Sequence, residues 1–347
     1  MAFYSKLPRV FIITPDLASN SLGRAYALSL VLDSLKVDWS LGSLYGEAIW
    51  PPLADSDFAD KCRKYSAAEL EQELITAPRV IVVKPLPESF GFAVRALDGG
   101  QSKLILDIDD PDLELRLGWW MPLQRAIRAC LRPALVRELH WIKNLVPEYP
   151  VIVSNPELQK IYGGSIIPHV RLAPRRPHRV VSAPRKIAFI GTPRRHKGLK
   201  ELRKAILRVN RDYFPLQLVV TAPAPKNSMP WEKWVGPVRL SEGGELLAGC
   251  SATVISIWNE PYKSLQLPAK AIDAAIIGLP VIRNETPNLN WVFGNSGLVL
   301  KGKSVAELVL QLRGIFGGGG VVANFEEQQK RFSPEEYRDT MSRLLMD

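Results

Sequence analysis

Short, wholly apolar segments recur along the chain, and a polar turn and a helical pattern follow each of them. Residues 10–13, 80–83 and 151–153 are examples from the first half of the sequence. A strand that is buried on both faces is apolar throughout, and helices that alternate with such strands cover both faces of a parallel sheet. The alternation therefore predicts an α/β protein built from Rossmann-like, doubly wound sheets.

A change of composition divides the chain in the middle. Residues 168–184 contain four prolines among closely spaced arginines, and such a segment continues neither a helix nor a central strand. A length of 347 residues is also typical of about two domains. We expect domains at 1–168 and 186–320, a linker at 169–185, and C-terminal helices at 321–347 that cross back to the first domain.

The composition restricts the compartment and the partners. The chain is 46% hydrophobic and carries a net charge of +10, which favours anionic partners such as nucleotides, phosphates, anionic lipid or nucleic acid. Cys62, Cys130 and Cys250 are widely separated, which argues against disulfides and a structural zinc site. The N-terminus lacks the apolar core of a signal peptide, and no apolar run spans a bilayer. We expect a cytoplasmic protein.

A basic loop opens the second half. It begins at Gly191 and ends at Gly198, between a predicted strand and a predicted helix, and it contains Arg194, Arg195 and Lys197. Backbone N–H groups at a helix N-terminus bind phosphate groups, and cations in the same loop strengthen that binding. The Walker order of residues is absent, and the first strand–turn–helix unit lacks GxGxxG, which argues against a dinucleotide cofactor. We interpret 191–198 as a phosphate-binding loop.

A later helix, predicted to begin at Pro268 and to end at Gly278, has an unusual charge near its start. Lys270 and Asp273 are three residues apart and therefore share a face close to the positive end of the helix dipole. A cation in that position is unfavourable unless an anion lies nearby. One interpretation is an anion-binding pair. The other is a surface lysine whose amine extends into solvent beside an ordinary aspartate.

Acidic residues end the fourth predicted strand. Asp109 and Asp110 follow an apolar run, and ligands of open parallel sheets bind beyond the carboxyl ends of the strands. We therefore predict that these two carboxylates face a substrate. The alternative is that they only cap the following turn.

A long helical segment at 121–145, interrupted at Pro133, has a basic polar face next to tryptophans. Such a face suits an anionic membrane surface, and the alternative is an ordinary solvated helix face. Its cations are Arg125, Arg128, Arg132, Arg137 and Lys143, and Trp119 and Trp120 precede it.

The basic loop at the start of the second domain and the helix Pro268-x-Lys270-x-x-Asp273, followed by Gly-Leu-Pro-Val-Ile, resemble glycosyltransferases of the GT-B fold. The resemblance is to the retaining class called family 4 or group 1, and it extends over nearly the whole chain. It implies two Rossmann-like domains that face a cleft. Residues 1–168 would receive the acceptor, and residues 186–320 would bind the nucleotide sugar.

The resemblance also implies roles for individual residues of the phosphate loop. Gly191, Lys197 and Gly198 match the family's diphosphate-binding loop. Thr192 stands where the family usually has an arginine, so Arg194 or Arg195 would supply that charge. Of the family's glycine-rich first loop, where diphosphate and acceptor approach each other, only Gly23 is present.

In the second motif, Asp273 matches the carboxylate that binds the ribose hydroxyls, and Lys270 lies opposite the phosphate loop. Leu265 occupies the position of the family's first glutamate, and the nearby Glu260 is out of register. Contacts to the donor sugar are therefore not explained by the motif.

The resemblance therefore implies transfer of a sugar from a nucleotide-diphosphate donor, with retention, to an unknown acceptor, which is a glycan, a lipid-linked molecule or a small molecule. Fixed cations stabilise a leaving diphosphate without a metal, so neither a metal nor a separate cofactor is expected. The predicted catalytic residues are Asp109, Asp110, Arg195 and Lys197; those predicted to bind the donor are Gly23, Gly191, Arg194, Arg195, Lys197, Gly198, Lys270 and Asp273.

Two other functions stay open. The departures from the motif are compatible with a GT-B protein that has lost catalysis and binds an anionic membrane or polymer. The segment Asp107–Asp110 also resembles the DxDD motif of magnesium-dependent phosphatases of the haloacid dehalogenase type, although Pro111 departs from that motif. Nucleic acid is not an expected partner, because no nucleic-acid-binding module is present.

Overall fold

The computed structural model forms two compact units. The first comprises Met1–Val170, Leu265–Leu267 and Ser333–Asp347, and the second comprises Arg171–Ser264 and Pro268–Phe332. The structure describes residues 7–97, 103–118, 127, 130–172, 185–194, 197–256, 262, 264–294, 296–301, 304–316 and 326–347.

The first unit is built on a seven-stranded parallel sheet. Its strands are β1 (Val10–Ile13), β2 (Trp39–Ser43), β3 (Cys62–Lys64), β4 (Arg79–Val83), β5 (Leu104–Ile108), β6 (Val151–Val153) and β7 (Ser165–Ile166). The order is β3-β2-β1-β4-β5-β6-β7, and every pair is parallel. The inner strands β1 and β5 are buried along their whole length; β1 is wholly apolar, and β5 is apolar except for Asp107.

Helices connect these strands. They are α1 (Ser21–Ser34), α2 (Ala67–Thr76), α3 (Phe92–Ala96), α4 (Asp112–Leu117), α5 (Pro133–Leu145) and α6 (Pro156–Tyr162). Pro133 and Pro156 both stand in the first turn, where a residue without an N–H is favoured. The side chain of Asn155 caps α6 by accepting hydrogen bonds from the N–H groups of Glu157 and Leu158, each at 3.1 Å.

The second unit contains a six-stranded parallel sheet with the order β10-β9-β8-β11-β12-β13. Its strands are β8 (Arg185–Phe189), β9 (Leu216–Val220), β10 (Glu232–Trp234), β11 (Ala252–Ile255), β12 (Val281–Asn284) and β13 (Leu298–Leu300). The helices are α7 (Leu199–Asp212), α8 (Leu240–Ala248), α9 (Ala269–Ile277), α10 (Pro287–Phe293), α11 (Val305–Phe316) and α12 (Glu326–Arg331).

The last helix, α13 (Arg338–Met346), belongs to the first unit and packs on α1. A one-turn helix at Pro334–Tyr337 precedes it. The sequence suggests that Ser333 and Glu336 form a capping box there, but Ser333 makes no side-chain cap hydrogen bond. A one-turn helix leaves little room for the reciprocal bonds that a capping box needs.

The α/β class and the two parallel sheets predicted from the sequence are confirmed. Two strands are missing from the prediction, β3 and β10, and each lies at an edge of its sheet. Both are three residues long and polar, with the sequences CRK and EKW. Edge strands are half solvated and often charged, so they lack the apolar run that identifies the inner strands.

Among the described residues, no helix is both long enough and apolar enough to cross a membrane.

Candidate functional site

The loop after β8 places Lys197 over Gly191. The Nζ of Lys197 lies 3.8 Å from the position that a Cβ atom would take on Gly191. Two hydrogen bonds fix the backbone of Lys197: its N–H donates to the C=O of Arg194 at 2.9 Å, and its C=O accepts from Ser256 Oγ at 3.1 Å. The N–H of Gly191 donates to Thr221 Oγ1 at 2.9 Å. The loop is therefore tied to residues that directly follow β9 and β11, the two strands on either side of β8.

Gly198 ends this loop as the N-cap of α7. Its φ of 69° is in the left-handed region, where any other residue costs about 1 kcal/mol. Its C=O accepts the N–H of Leu202 at 3.0 Å and so begins the helix. Arg194 is exposed, and Arg195 lies outside the described residues. The predicted phosphate loop thus leads directly into a 14-residue helix.

Lys270 lies in the first turn of α9, and its amine is buried. Nζ is 4.9 Å from the centroid of the Phe189 ring and has no hydrogen-bond partner among the described residues. Burial and the nearby charge of Lys197 lower the pKa of Lys270 to about 7. The interpretation of Lys270 as a solvent-exposed surface lysine is wrong. A buried amine beside a second amine is stable as a cation only when an anion joins them.

Asp273 lies one turn further along α9 and is paired with an arginine. Arg171 Nε donates to Asp273 Oδ1 at 2.7 Å, and both side chains are largely buried. The pattern Pro-x-Lys-x-x-Asp therefore puts the two charges on one helix, but each has its own surroundings. Lys270 faces Phe189 and Lys197, whereas Asp273 faces Arg171.

The position of the family's first glutamate is taken by an apolar contact. Leu265 belongs to the first unit, where it packs against the apolar core and its C=O accepts Asn155 Nδ2 at 3.1 Å. Glu260 lies outside the described residues.

In the first unit, Asp109 and Asp110 form part of a buried cluster around Lys84. Lys84 follows β4, and its Nζ lies 2.9 Å from Asp109 Oδ1, 3.7 Å from Asp110 Oδ2 and 2.7 Å from Asp112 Oδ2. His169 Nε2 is 3.9 Å from Asp109 Oδ2. We call these five residues the Lys84 cluster. The aspartates contact a lysine side chain, which the turn-capping alternative does not predict.

Three carboxylates share one ammonium group in this cluster, and their pKa values separate accordingly. Burial opposes ionisation of Asp109, but Lys84, His169 and Arg24 hold its pKa below the ordinary value. Burial and the charge of Asp109 raise the pKa of Asp110 to about 7. The Asp110 side chain is 29% exposed, whereas Asp109 is only 7% exposed. Asp110 is thus an accessible carboxyl group that titrates near neutral pH.

Asp107, two residues earlier, is inaccessible. Its carboxylate accepts two hydrogen bonds from Arg24 Nε at 3.0 Å, and Arg24 Nη2 lies 2.5 Å from Oδ1. Both side chains have no exposed surface. A phosphatase of the DxDD type needs this aspartate as an accessible nucleophile. The buried ion pair therefore argues against that interpretation.

Gly23 lies in the first turn of α1 under the indole ring of Trp50. A Cβ atom at Gly23 would be 3.1 Å from Trp50 Cζ3, so a larger residue would displace the ring. The Trp50 N–H donates to the C=O of Leu17 at 2.8 Å, which ties the loop after β2 to the loop after β1. The Trp50 ring thus covers Gly23, the one glycine of this chain that matches the glycine-rich first loop.

Two charged residues of these sites are not identified by the sequence patterns. Lys84 could be found, because a lysine that directly follows a buried strand lies at the ligand-binding end of a parallel sheet. Arg171 stands among several other cations of the predicted linker, and nothing distinguishes it there.

The chain resembles known proteins in structure but not detectably in sequence. No family model matches it, and no curated protein matches it in sequence. The structure of Anabaena HepE in complex with UDP and glucose is similar with a TM-score of 0.65 at 12% identity, covering 97% of this chain and 99% of that one. WaaG, a glycosyltransferase involved in lipopolysaccharide biosynthesis, has a TM-score of 0.62 at 11% identity, covering 97% of both chains.

Sucrose-phosphate synthase from Thermosynechococcus elongatus is also similar, with a TM-score of 0.61 at 14% identity over 97% of this chain and 98% of that one. Similarity at this level of identity establishes the fold. Because it extends over almost the whole length of each chain, it includes both units.

Proposed function

From the GT-B fold that the chain shares with these transferases, we propose that the protein is a glycosyltransferase that uses a nucleotide-diphosphate sugar. In the reaction, an acceptor hydroxyl forms a bond to the anomeric carbon and the bond from that carbon to the diphosphate breaks. The donor sugar and the acceptor are not identified. By the family resemblance, the transfer proceeds with retention.

The buried, unpartnered amine of Lys270 carries this proposal. Together with Lys197, it places two amines close to the N-terminus of α7, and no described residue forms a hydrogen bond with the Lys270 amine. A diphosphate would supply the missing negative charge. Fixed cations and a helix N-terminus then stabilise the charge that develops on the leaving diphosphate. Arg194 and Arg195 are proposed to add to this charge, and Gly191 and Gly198 to let the phosphates approach the backbone.

Asp273 is proposed to bind the nucleotide through its ribose. Oδ1 is occupied by Arg171, and the other carboxylate oxygen, Oδ2, has no partner among the described residues. An ionised carboxylate oxygen accepts hydrogen bonds from hydroxyl groups. HepE was crystallised with UDP and glucose, so uridine diphosphate is the first nucleotide to test.

The acceptor is proposed to bind the first unit, where Asp109 and Asp110 follow β5. Asp110 is the more exposed of the two, and its pKa of about 7 lets it exchange a proton with a hydroxyl group near neutral pH. Gly23, with Trp50 above it, is proposed to lie beside the reacting groups.

A membrane surface is proposed as a further partner, on the cytoplasmic side. Ile127 and Leu131 are exposed, Leu131 by 75%, and the exposed Arg132 and Arg137 follow them. Apolar side chains next to arginines suit the interface of an anionic bilayer.

Flotation with liposomes that contain anionic lipid should recover the protein. A variant with Leu131→Ser, Arg132→Gln and Arg137→Gln should float less.

A thermal-shift experiment tests the main proposal. Uridine, guanosine, adenosine and thymidine diphosphates are added in turn to the wild-type protein, and at least one should raise the melting temperature. The variants Lys197→Ala and Asp273→Ala should lose that rise. Lys200→Ala is a matched control, since Lys200 is an exposed lysine on the same helix start. If no diphosphate shifts the wild-type protein, the proposed nucleotide site is wrong.

A further inference from the structure

Arg171 is the residue through which the chain enters the second unit. The chain passes between the units at Val170–Arg171 and returns at Phe332–Ser333. The N–H of Arg171 donates to the C=O of Phe332 at 2.9 Å, and Phe332 is fully buried. The backbone of Arg171 is therefore held at a fixed place in the second unit, although Arg171 falls within the predicted linker at 169–185.

The side chain of Arg171 extends from this anchor to α9. Its Nε approaches Asp273 Oδ1 to 2.7 Å, and the exposed fractions are 10% for Arg171 and 19% for Asp273. A hydrogen bond between an ionised donor and an ionised acceptor is stronger than a neutral one, and burial protects it from screening by salt. The bond restricts Asp273 to one rotamer.

We infer that Arg171 is a positioning residue that holds the Asp273 carboxylate so that Oδ2 accepts the ribose hydroxyls of a nucleoside diphosphate. The inference rests on the proposed function, because it takes Asp273 to be a ribose ligand. The bond from Arg171 positions the Asp273 carboxylate and does not block it from a ligand. A carboxylate has about four acceptor positions, and the Nε–H of Arg171 uses one of them. A pre-oriented carboxylate loses less rotamer entropy when the nucleotide binds.

This role gives Arg171 an effect that a purely structural residue would lack. It acts through Asp273, so its loss should weaken recognition of the ribose and leave recognition of the diphosphate by Lys197 and Lys270 in place. The affinity difference between a ribonucleoside diphosphate and its 2′-deoxy analogue reports on the ribose contact alone.

The experiment measures the dissociation constants of uridine diphosphate and 2′-deoxyuridine diphosphate by titration calorimetry. If guanosine or adenosine diphosphate binds the wild-type protein more tightly, that nucleotide and its 2′-deoxy analogue replace them. The wild type should prefer the ribonucleotide by about tenfold. Arg171→Met should bind the ribonucleotide about tenfold more weakly, and its affinities for the two nucleotides should become nearly equal. Adding Arg171→Met to Asp273→Asn should cause no further loss.

Arg203→Met provides a matched control. Arg203 joins α7 to β10 through a similarly short ion pair with Glu232, in which Nε and Oε1 are 2.6 Å apart. The Arg203→Met variant should keep the wild-type preference for the ribonucleotide. Arg171→Gln keeps a donor near Asp273 and serves if Arg171→Met does not fold; it should show a smaller loss in the same direction. An unchanged ribose preference in both Arg171 variants would overturn the inference while the nucleotide site stands. A wild-type protein that binds no diphosphate overturns both.

Discussion

At the scale of single residues, each of the two candidate sites contains a titratable group next to charges of its own sign. Lys270 has a buried amine near another amine, and Asp110 has a partly buried carboxyl group near other carboxylates. Each has a pKa of about 7, because burial and a like charge both disfavour its ionised form. Such groups are frequent at functional sites, where a ligand supplies what the protein lacks.

Lys270 predicts proton uptake on nucleotide binding. At pH 8 the amine of the free protein is mainly neutral, and a bound diphosphate favours its protonated form. Titration calorimetry in buffers of different ionisation enthalpy should therefore show uptake that approaches one proton, and affinity should fall as the pH rises above 7. Lys270→Met should abolish the extra uptake and weaken binding at pH 6.5 about 30-fold, or about 2 kcal/mol. Equal proton uptake by both proteins would contradict the assignment.

Asp110 predicts a pH-dependent loss of stability. Its folded-state pKa of about 7 exceeds the ordinary value of 3.8, so between these pH values the folded protein binds more protons than the unfolded chain. The contribution of this group to stability is therefore complete below pH 4 and falls as the pH rises to 7. Asp110→Asn should lack this loss, so its melting temperature should exceed that of the wild type by more at pH 8 than at pH 5. A constant difference would contradict the pKa assignment.

The Arg24–Asp107 pair is predicted to be structural. Both side chains are fully buried, so removing one charge leaves the other without compensation. Asp107→Ala should lower the free energy of unfolding by about 3 to 5 kcal/mol, whereas the double variant Arg24→Met, Asp107→Leu should recover part of that loss. Urea unfolding followed by circular dichroism measures both. A double variant that is less stable than Asp107→Ala would show that the pair is not isolated in this way.

At the scale of helices and strands, the helix ends are the most predictable feature. Gly278 is expected from the sequence to end α9, and it does so with a φ of 77°. A side chain is strained in this left-handed conformation, so glycine is the favoured residue at the position. The start of the same helix differs by one residue: Pro268 is the N-cap, and Ala269 begins the helix. Boundaries shift by a residue because caps and first-turn positions accept similar residue types.

A pair of glycine substitutions tests this account of α9. Gly278→Ala should destabilise the protein by about 1 to 2 kcal/mol, because alanine at a φ of 77° is strained. Gly243→Ala in α8 should stabilise it by about 0.4 to 1 kcal/mol, because nothing lies within 4 Å of the added Cβ atom and alanine favours the helix. Melting temperatures measure both effects. Shifts of the same sign would contradict the argument.

At the scale of the whole molecule, the sequence predicts the fold better than the sites. Buried parallel strands are mostly apolar, so the inner strands of both sheets can be identified from sequence. The edge strands β3 and β10 are polar and escape this test. The GT-B architecture follows from the order of the elements together with the two motifs of the second unit.

The candidate sites are only partly predictable, because they depend on pairings between distant residues. The sequence identifies Lys197, Lys270, Asp273, Asp109 and Asp110 as candidates. It does not identify Arg171 as the partner of Asp273, because 102 positions separate them in the sequence. Nor does it identify Lys84 as the partner of the aspartates, of which Asp109 lies 25 positions away in the sequence. It also leaves open whether Lys270 is exposed. Local sequence patterns indicate which face of a helix or strand a residue occupies. The residue with which it forms an ion pair depends on tertiary packing.

Donor hydrolysis tests the central claim most directly. The protein is incubated with a panel of nucleotide sugars, and release of free sugar and nucleoside diphosphate is measured without an added acceptor. We predict slow hydrolysis of at least one donor, reduced at least tenfold in Lys270→Met, because the leaving diphosphate loses a cation. If a nucleoside diphosphate binds but no donor is cleaved, even with glycan and lipid acceptors added, the protein is a binding protein on the GT-B scaffold and not a transferase.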